Sequence, residues 1–244
     1  MGVQLDSEFL TYLANCPPSL NRSLPPMNEL AETLGMSISK LREQIEVART
    51  LGWVEVKPRT GIQVRPTSPA AALSVSMRFA IARDRRFFDQ IEELREVIEA
   101  SYWGQAVELL HDEDVQHLQE LMEQAWALLK GNPIQIPHAE HRKLHLTIFS
   151  RLQNEFVKGF LQAYWDAYES VGLNVYTDYP YLEAVWNHHQ LMIDAIVSGE
   201  HEEGYRALID HFGILQQRPG RETEATAAIE SFELLPQGHS GSDL

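Results

Sequence analysis

The sequence reads as a mainly α chain in two parts: a small N-terminal unit of three helices and one β-hairpin, then an all-α helical bundle. Three observations predict this. Apolar residues recur at three- and four-residue spacing through most of the 244 positions. Strand-like alternation is confined to residues 53–65. The run Arg65-Pro-Thr-Ser-Pro-Ala-Ala-Ala then breaks the apolar periodicity with two prolines and small residues. Charge divides at the same place. Residues 1–66 carry seven basic and seven acidic side chains, so the remaining 13 basic and 28 acidic ones, and with them the net charge of −15, fall later. All ten histidines also follow residue 66, starting at His111. Two compositions point to two tasks.

Taken in order, residues 5–15 form an amphipathic helix with Phe9, Leu10 and Leu13 on one side. Pro25-Pro26 opens a second helix, since a missing N–H costs nothing in a first turn. Gly35 supplies a turn, Ser37 or Ser39 caps a third helix from Ile38 to about Leu51, and Gly52 ends it. Trp53-Val-Glu-Val-Lys alternates inward and outward, and Arg59-Thr-Gly-Ile-Gln-Val-Arg returns as its partner. Further helices are expected at 72–86, 88–110, 112–130, 138–152, 155–172, 180–198 and 201–216, parted by Gly131-Asn-Pro, Tyr179-Pro and Ser198-Gly among others. The polar stretch from Pro219 reads as an unordered tail. The expected domains are therefore 1–66, a linking segment and connecting helix at 67–87, a helical bundle at 88–216 and a tail at 217–244.

Composition sets limits. With 44% hydrophobic and 23% charged residues the chain can bury a packed core. The single cysteine, Cys16, excludes an internal disulfide framework and a multi-cysteine zinc site. No apolar run approaches the roughly 20 residues of a membrane helix. The start, MGVQLDSEFL, lacks a basic segment before an apolar one. A cytoplasmic chain without membrane association is expected.

Helix, glycine turn, helix and hairpin in this order make a winged helix-turn-helix arrangement. Its second helix fits the DNA major groove and its wing grips phosphate, so double-stranded operator DNA is the expected partner. The third helix exposes Ser39, Lys40 and Arg42 while Leu41, Ile45 and Ala48 face inward, and Lys57 and Arg59 sit at the wing. Use of the unit for protein contact is the alternative. At Leu24-Pro25, Glu29-Leu30-Ala31, Leu34-Gly35-Met36-Ser37, Leu41-Arg42-Glu43, Gly52-Trp53-Val54-Glu55-Val56 and Gly61-Ile62-Gln63-Val64 the sequence resembles the GntR family of bacterial transcription regulators. The resemblance implies that Arg42 contacts DNA with Ser39 nearby, and that the chain binds a near-palindromic site as a homodimer. Asn28 and Ile38 stand where the family commonly has arginine, and Arg59-Thr60-Gly61 replaces its usual Gly-Arg-Gly wing tip.

In the second part, His141 and His145 are four apart and share a helix face with Ile148, Phe149 and Leu152. His189 falls with Leu182, Val185, Trp186, Met192, Ile193 and Ile196, and His211 with Ala207, Leu208, Phe212 and Leu215. Each is an imidazole on an apolar face, and burying one unpaired costs about 1–3 kcal/mol. Convergence on one metal ion removes that cost, and imidazole suits Zn, Ni, Cu or Fe. Ordinary hydrogen bonding of separate core histidines is the alternative at this point. His188 lies about 100° from His189 on a helix and is the alternative to it in the cluster, and His111, His117, His138, His201 and His239 read as surface residues. Tyr164, Trp165, Tyr168 and Tyr181 read as core, with the lining of a cavity as the alternative.

Residues 88–215 are similar to the all-helical FCD ligand-binding domain of the FadR subfamily, through Glu93-Leu94-Arg95, Glu99, His141-x-x-Leu144-His145, Asn154, His189, Ala195-Ile196, Gly199-Glu200 and His211. The resemblance implies a divalent metal, zinc or nickel, held by His141, His145, His189 and His211 beneath a chamber for a small organic acid. His141 replaces the family's usual aspartate, so the ligands carry no charge, which favours an anionic effector. Arg95 is expected either to bind that effector's carboxylate bidentately or to pair along its helix with Glu99 or Glu92. The expected function is a metabolite-responsive transcription regulator; a regulator with structural histidines and a four-histidine metalloenzyme are the alternatives.

Overall fold

The computed structural model describes residues 5, 7–16, 23–58, 61–170 and 178–216. The N-terminal unit contains helices α1 (Glu8–Ala14), α2 (Met27–Thr33) and α3 (Ile38–Thr50) and strands β1 (Val54–Lys57) and β2 (Gly61–Val64). Phe9, Leu30, Leu41 and Ala48 are fully buried in its core. The Ser7 side chain caps α1 at the Leu10 N–H, and Gln44 of α3 accepts from the Ser7 hydroxyl and the Phe9 N–H, which ties α1 to α3. Ser37 rather than Ser39 caps α3, accepting from the Lys40 N–H. Gly35 turns the chain between α2 and α3 at φ +62°, a conformation that a side chain would strain. The strands pair antiparallel with Val54 opposite Val64 and Lys57 opposite Gly61. A contact beyond the sequence reading steadies this hairpin: Ser23 bridges Gln63, and the Leu24 N–H donates to the Ile62 carbonyl at 2.8 Å.

The bundle comprises α4 (Ala70–Arg83), α5 (Arg86–Glu108), α6 (Asp112–Leu129), α7 (His138–Ile148), α8 (Glu155–Ser170), α9 (Tyr179–Ser198) and α10 (His201–Gln216). Two boundaries depart from the periodicity. The break between α4 and α5 falls at Asp84-Arg85, because Asp84 is extended and its carboxylate accepts from the Arg86 N–H and guanidinium. That local cap starts α5 before the apolar pattern does. α7 stops at Ile148, and the Asn154 side chain then accepts from the N–H groups of Phe156 and Val157 at the start of α8. The tail expected at 217–244 lies outside the described residues.

α4 packs along α8 and against α5; α6 packs on α7 and α9; α10 packs on α9 and α5. Leu118, Ala125, Leu144, Ile148, Ala163, Tyr164, Met192 and Leu208 form the centre of one core, which also takes in Met77 and Ile81 of α4. The segment expected as a link is thus largely a helix packed into the bundle, and it also touches α3. Gly159 permits the closest approach. A Cβ there would meet Pro69 Cγ at 2.5 Å and the Ala70 nitrogen at 3.0 Å, so α8 lies directly against the first turn of α4. No described helix is long and apolar enough to cross a membrane.

Candidate metal centre

Three helices each bring imidazole to one buried place. α7 offers His141 and His145 on successive turns of its inner face, α9 offers His189 and α10 offers His211. His145, His189 and His211 are at most 1% exposed and His141 is 9% exposed. One ligand atom from each of the four lies within 4.8 Å of every other. The closest ring centroids are those of His189 and His211 at 4.3 Å, with His141 and His189 at 4.7 Å. The structure brings together all four histidines singled out in the sequence.

Their nitrogens have few protein partners. His141 Nε2, His145 Nδ1, His189 Nδ1 and both nitrogens of His211 are buried without a hydrogen bond. His145 Nε2 faces His189 Nε2 at 3.1 Å. Two lone pairs at that distance repel, so either one ring donates to the other or a cation lies against both. Burial first, and then the neighbouring imidazoles, hold His141, His189 and His211 well below the usual histidine value. Neutral rings keep their lone pairs, as metal ligation requires. Nitrogens about 2.0–2.1 Å from one metal ion stand about 3–4 Å apart. His145 Nε2 and His189 Nε2 are 3.1 Å apart and the four ligand atoms lie within 4.8 Å of one another, so small side-chain shifts bring all four onto one ion. The residues present fit a divalent transition metal.

Around the histidines lie Trp165, Tyr168 and Trp186, with ring centroids 4.7, 6.3 and 5.8 Å from His141. The Trp165 indole N–H is buried and unpartnered as well. Arg95 of α5 is fully buried between the Tyr164 and Phe212 rings, 5.0 and 5.2 Å from their centroids. Its Nη1 donates to the Tyr164 oxygen at 3.1 Å, its Nε lies 3.4 Å from Glu99 Oε2, and its Nη2 has no partner. The helical ion pair and a free donor therefore coexist in one side chain. Glu99 is fully buried and its Oε2 also stands 3.3 Å from His145 Nδ1. Both approaches to Glu99 are within ion-pair reach but off the hydrogen-bond direction. Burial works to raise the Glu99 carboxyl, but Arg95 and His145 outweigh it and hold it below its ordinary value.

The sequence offers Trp165 as core or cavity lining without singling it out, and Glu99 as a helical partner for Arg95. The available signal lay in α5, whose buried positions Phe88, Glu92, Arg95, Glu99 and Trp103 put three charged residues on the face that packs inward. His188 is half-buried with Nδ1 3.0 Å from the Ala184 carbonyl oxygen, so it turns away from the cluster. His138 and His201 are half-buried rather than at the surface. A second group, His111, Glu113 and Asp114, lies toward the surface, and Arg151 takes both carboxylates.

On the N-terminal unit, Ser39, Lys40 and Arg42 are exposed along one side of α3, opposite buried Leu41, Ile45 and Ala48. Lys40 pairs with Glu8 of α1 at 3.1 Å and Lys57 with Glu55 at 3.0 Å, whereas Arg42 has no ion-pair partner among the described residues. Gln44, the Glu8 backbone and Lys40 hold the Glu8 carboxyl at about 2. Arg59 lies outside the described residues.

A search of functionally curated proteins returns no significant match. Among solved structures, Streptococcus agalactiae GntR aligns with a TM-score of 0.58 at 20% identity, over 82% of this chain and 91% of that one. E. coli McbR/YncC aligns with a TM-score of 0.45 at 20% identity, over 88% and 91% of the two chains. The first likeness shows a shared fold; the second carries no further weight. A family model described as the FCD domain matches residues 90–213, just over half of the chain and the stretch that holds Arg95, Glu99 and all four clustered histidines. The chain belongs to the FCD domain family.

Proposed function

We propose that the chain is a homodimeric transcription regulator of the GntR type, which binds operator DNA through its winged unit and senses a small organic acid in its FCD domain. The observation that carries the sensing half is the convergence of four buried, unpartnered imidazoles from α7, α9 and α10. We assign His141, His145, His189 and His211 as ligands of a divalent metal, zinc or nickel, and Arg95 as a partner of the effector. Bound there, the ion supplies open coordination positions for an anionic oxygen ligand. The four histidines bring no charge of their own, which favours a carboxylate over a neutral ligand. Arg95 Nη2, buried and without a partner, is a donor available to the same carboxylate.

The winged unit supports the DNA half of the reading, with Ser39, Lys40 and Arg42 on the α3 surface and Lys57 at the hairpin. An enzyme with the same metal centre gives no role to that unit. Dimerisation would place two α3 helices in successive major grooves. The effector shifts the DNA-binding equilibrium only by its differential affinity for the two arrangements of the dimer. Elemental analysis of the purified protein, followed by calorimetric titration of the metal-loaded form with organic acids and neutral sugars, tests the sensor. The expected result is about one equivalent of metal per chain and preferential acid binding. Absence of metal after incubation with zinc and nickel, or tighter binding of the sugars, would overturn it.

A further inference from the structure

We infer that Glu99 is a positioning residue of the metal centre: its carboxylate faces the Nδ1 edge of His145 and thereby directs the Nε2 lone pair of that ring into the cluster. The inference rests on the metal reading given above. The two nitrogens of His145 lie on opposite sides of the boundary. Nε2 is 3.1 Å from His189 Nε2, inside the group of imidazoles, and Nδ1 is 3.3 Å from Glu99 Oε2, outside it. At 3.3 Å, even off the hydrogen-bond direction, the carboxylate's charge favours the proton on Nδ1 and leaves Nε2 as the ligand.

Glu99 is itself held in place. It is fully buried, with Arg95 Nε 3.4 Å from the same Oε2. Arg95 is fixed in turn by its hydrogen bond to Tyr164 and by the rings of Tyr164 and Phe212. A helical ion pair would need Arg95 alone. It gives no reason for Oε2 to stand against an imidazole of α7 as well. The four clustered side chains are imidazoles that bring no negative charge, and Glu99 is a carboxylate one ring removed from the cluster. Its charge strengthens the His145 lone pair without occupying a coordination position. Glu99 also links α5 to α7, since Arg95 and His145 approach the same oxygen.

The test uses the full chain, stripped of metal with a chelator and labelled with 15N. Long-range 15N–1H spectra of the wild type should show His145 as the Nδ1–H tautomer. The double variant Arg95→Leu/Glu99→Leu removes both charges together, so neither is left buried alone. It should lose that tautomer preference and bind zinc 10–100-fold more weakly in competition with a chromophoric chelator, with an unchanged far-UV spectrum. Glu99→Gln keeps an acceptor without the charge, and should keep the tautomer with a smaller loss of zinc affinity. An Nε2–H tautomer in the metal-free wild type, or wild-type zinc affinity in the double variant, would overturn the role of Glu99 while leaving the metal reading intact. A wild type that binds no zinc at all would overturn both. The wild-type spectrum is informative even if the double variant does not fold.

Discussion

Replacing His211 by leucine should stabilise the metal-free protein while abolishing its response to zinc. His211 is fully buried, and neither ring nitrogen has a hydrogen-bond partner. An unpaired buried polar group costs about 1–3 kcal/mol. Exchange for an apolar side chain of similar size costs up to about 1.5 kcal/mol in imperfect packing. The net expectation is a gain of about 1 kcal/mol, or about 2–4 °C in melting temperature for a chain of this size. Zinc acts the other way. At a free concentration a hundred times its dissociation constant it should stabilise the wild type by about 2.7 kcal/mol, and the variant by much less. Parallel urea and thermal melts of chelator-treated and zinc-loaded protein measure both effects. A metal-free variant that is less stable than the wild type by more than about 1 kcal/mol would refute the reasoning from unpaired nitrogens. An equal zinc shift in both proteins would refute the assignment of His211 as a ligand.

Three further outcomes are expected. Because His141, His189 and His211 sit well below the usual histidine value in the folded chain, the unfolded chain binds more protons once the pH drops past about 6.5. Metal-free stability should therefore be level above that pH and fall below it, by up to about 1.4 kcal/mol per unit for each histidine; urea midpoints that do not decline between pH 7.5 and 5.5 would contradict this. Arg42→Ala should weaken binding to a DNA fragment selected by the wild type about 10–100-fold, whereas Lys57→Ala should mainly lower the salt dependence by about one unit of slope; fluorescence anisotropy at several salt concentrations separates the two. Gly159→Ala should destabilise the bundle, because its Cβ would meet Pro69 Cγ at 2.5 Å, while Gly104→Ala, with no atom within 4 Å, should stabilise it by about 0.5–1 kcal/mol; matching signs in the melts would show that the α4–α8 contact yields freely.

Helices were legible because each buries one stripe, and that stripe repeats in the sequence. The errors lie where a side chain competes with the ladder, as at Asp84, whose carboxylate starts α5 early. The bridge between Ser23 and Gln63 was not legible, since one or two residues carry no alternation to read. In the candidate site, the spacing of His141 and His145 places both on one helix face without any tertiary knowledge. The meeting of that face with His189 and His211 depends on how α7, α9 and α10 pack, which no local pattern encodes; the family resemblance supplied the expectation. Glu99 was readable as a neighbour of Arg95 along α5 but not as a neighbour of His145, which arrives from another helix. Trp165 follows an ordinary core pattern, and only its unpartnered N–H beside the histidines sets it apart.

The bare spot at Gly159 has a mechanical meaning. A helix resists being stretched or compressed because its hydrogen bonds fix the rise at about 1.5 Å per residue. α8 thus behaves as a stiff rod. It carries Tyr164, which grips Arg95, and five positions earlier it seats the turn where the chain passes from the hairpin unit into α4. The two fittings are about 7–8 Å apart along the axis. With no side chain at Gly159 to act as a cushion, any slide or tilt of α8 at the Arg95 end would arrive undamped at the root of the hairpin unit.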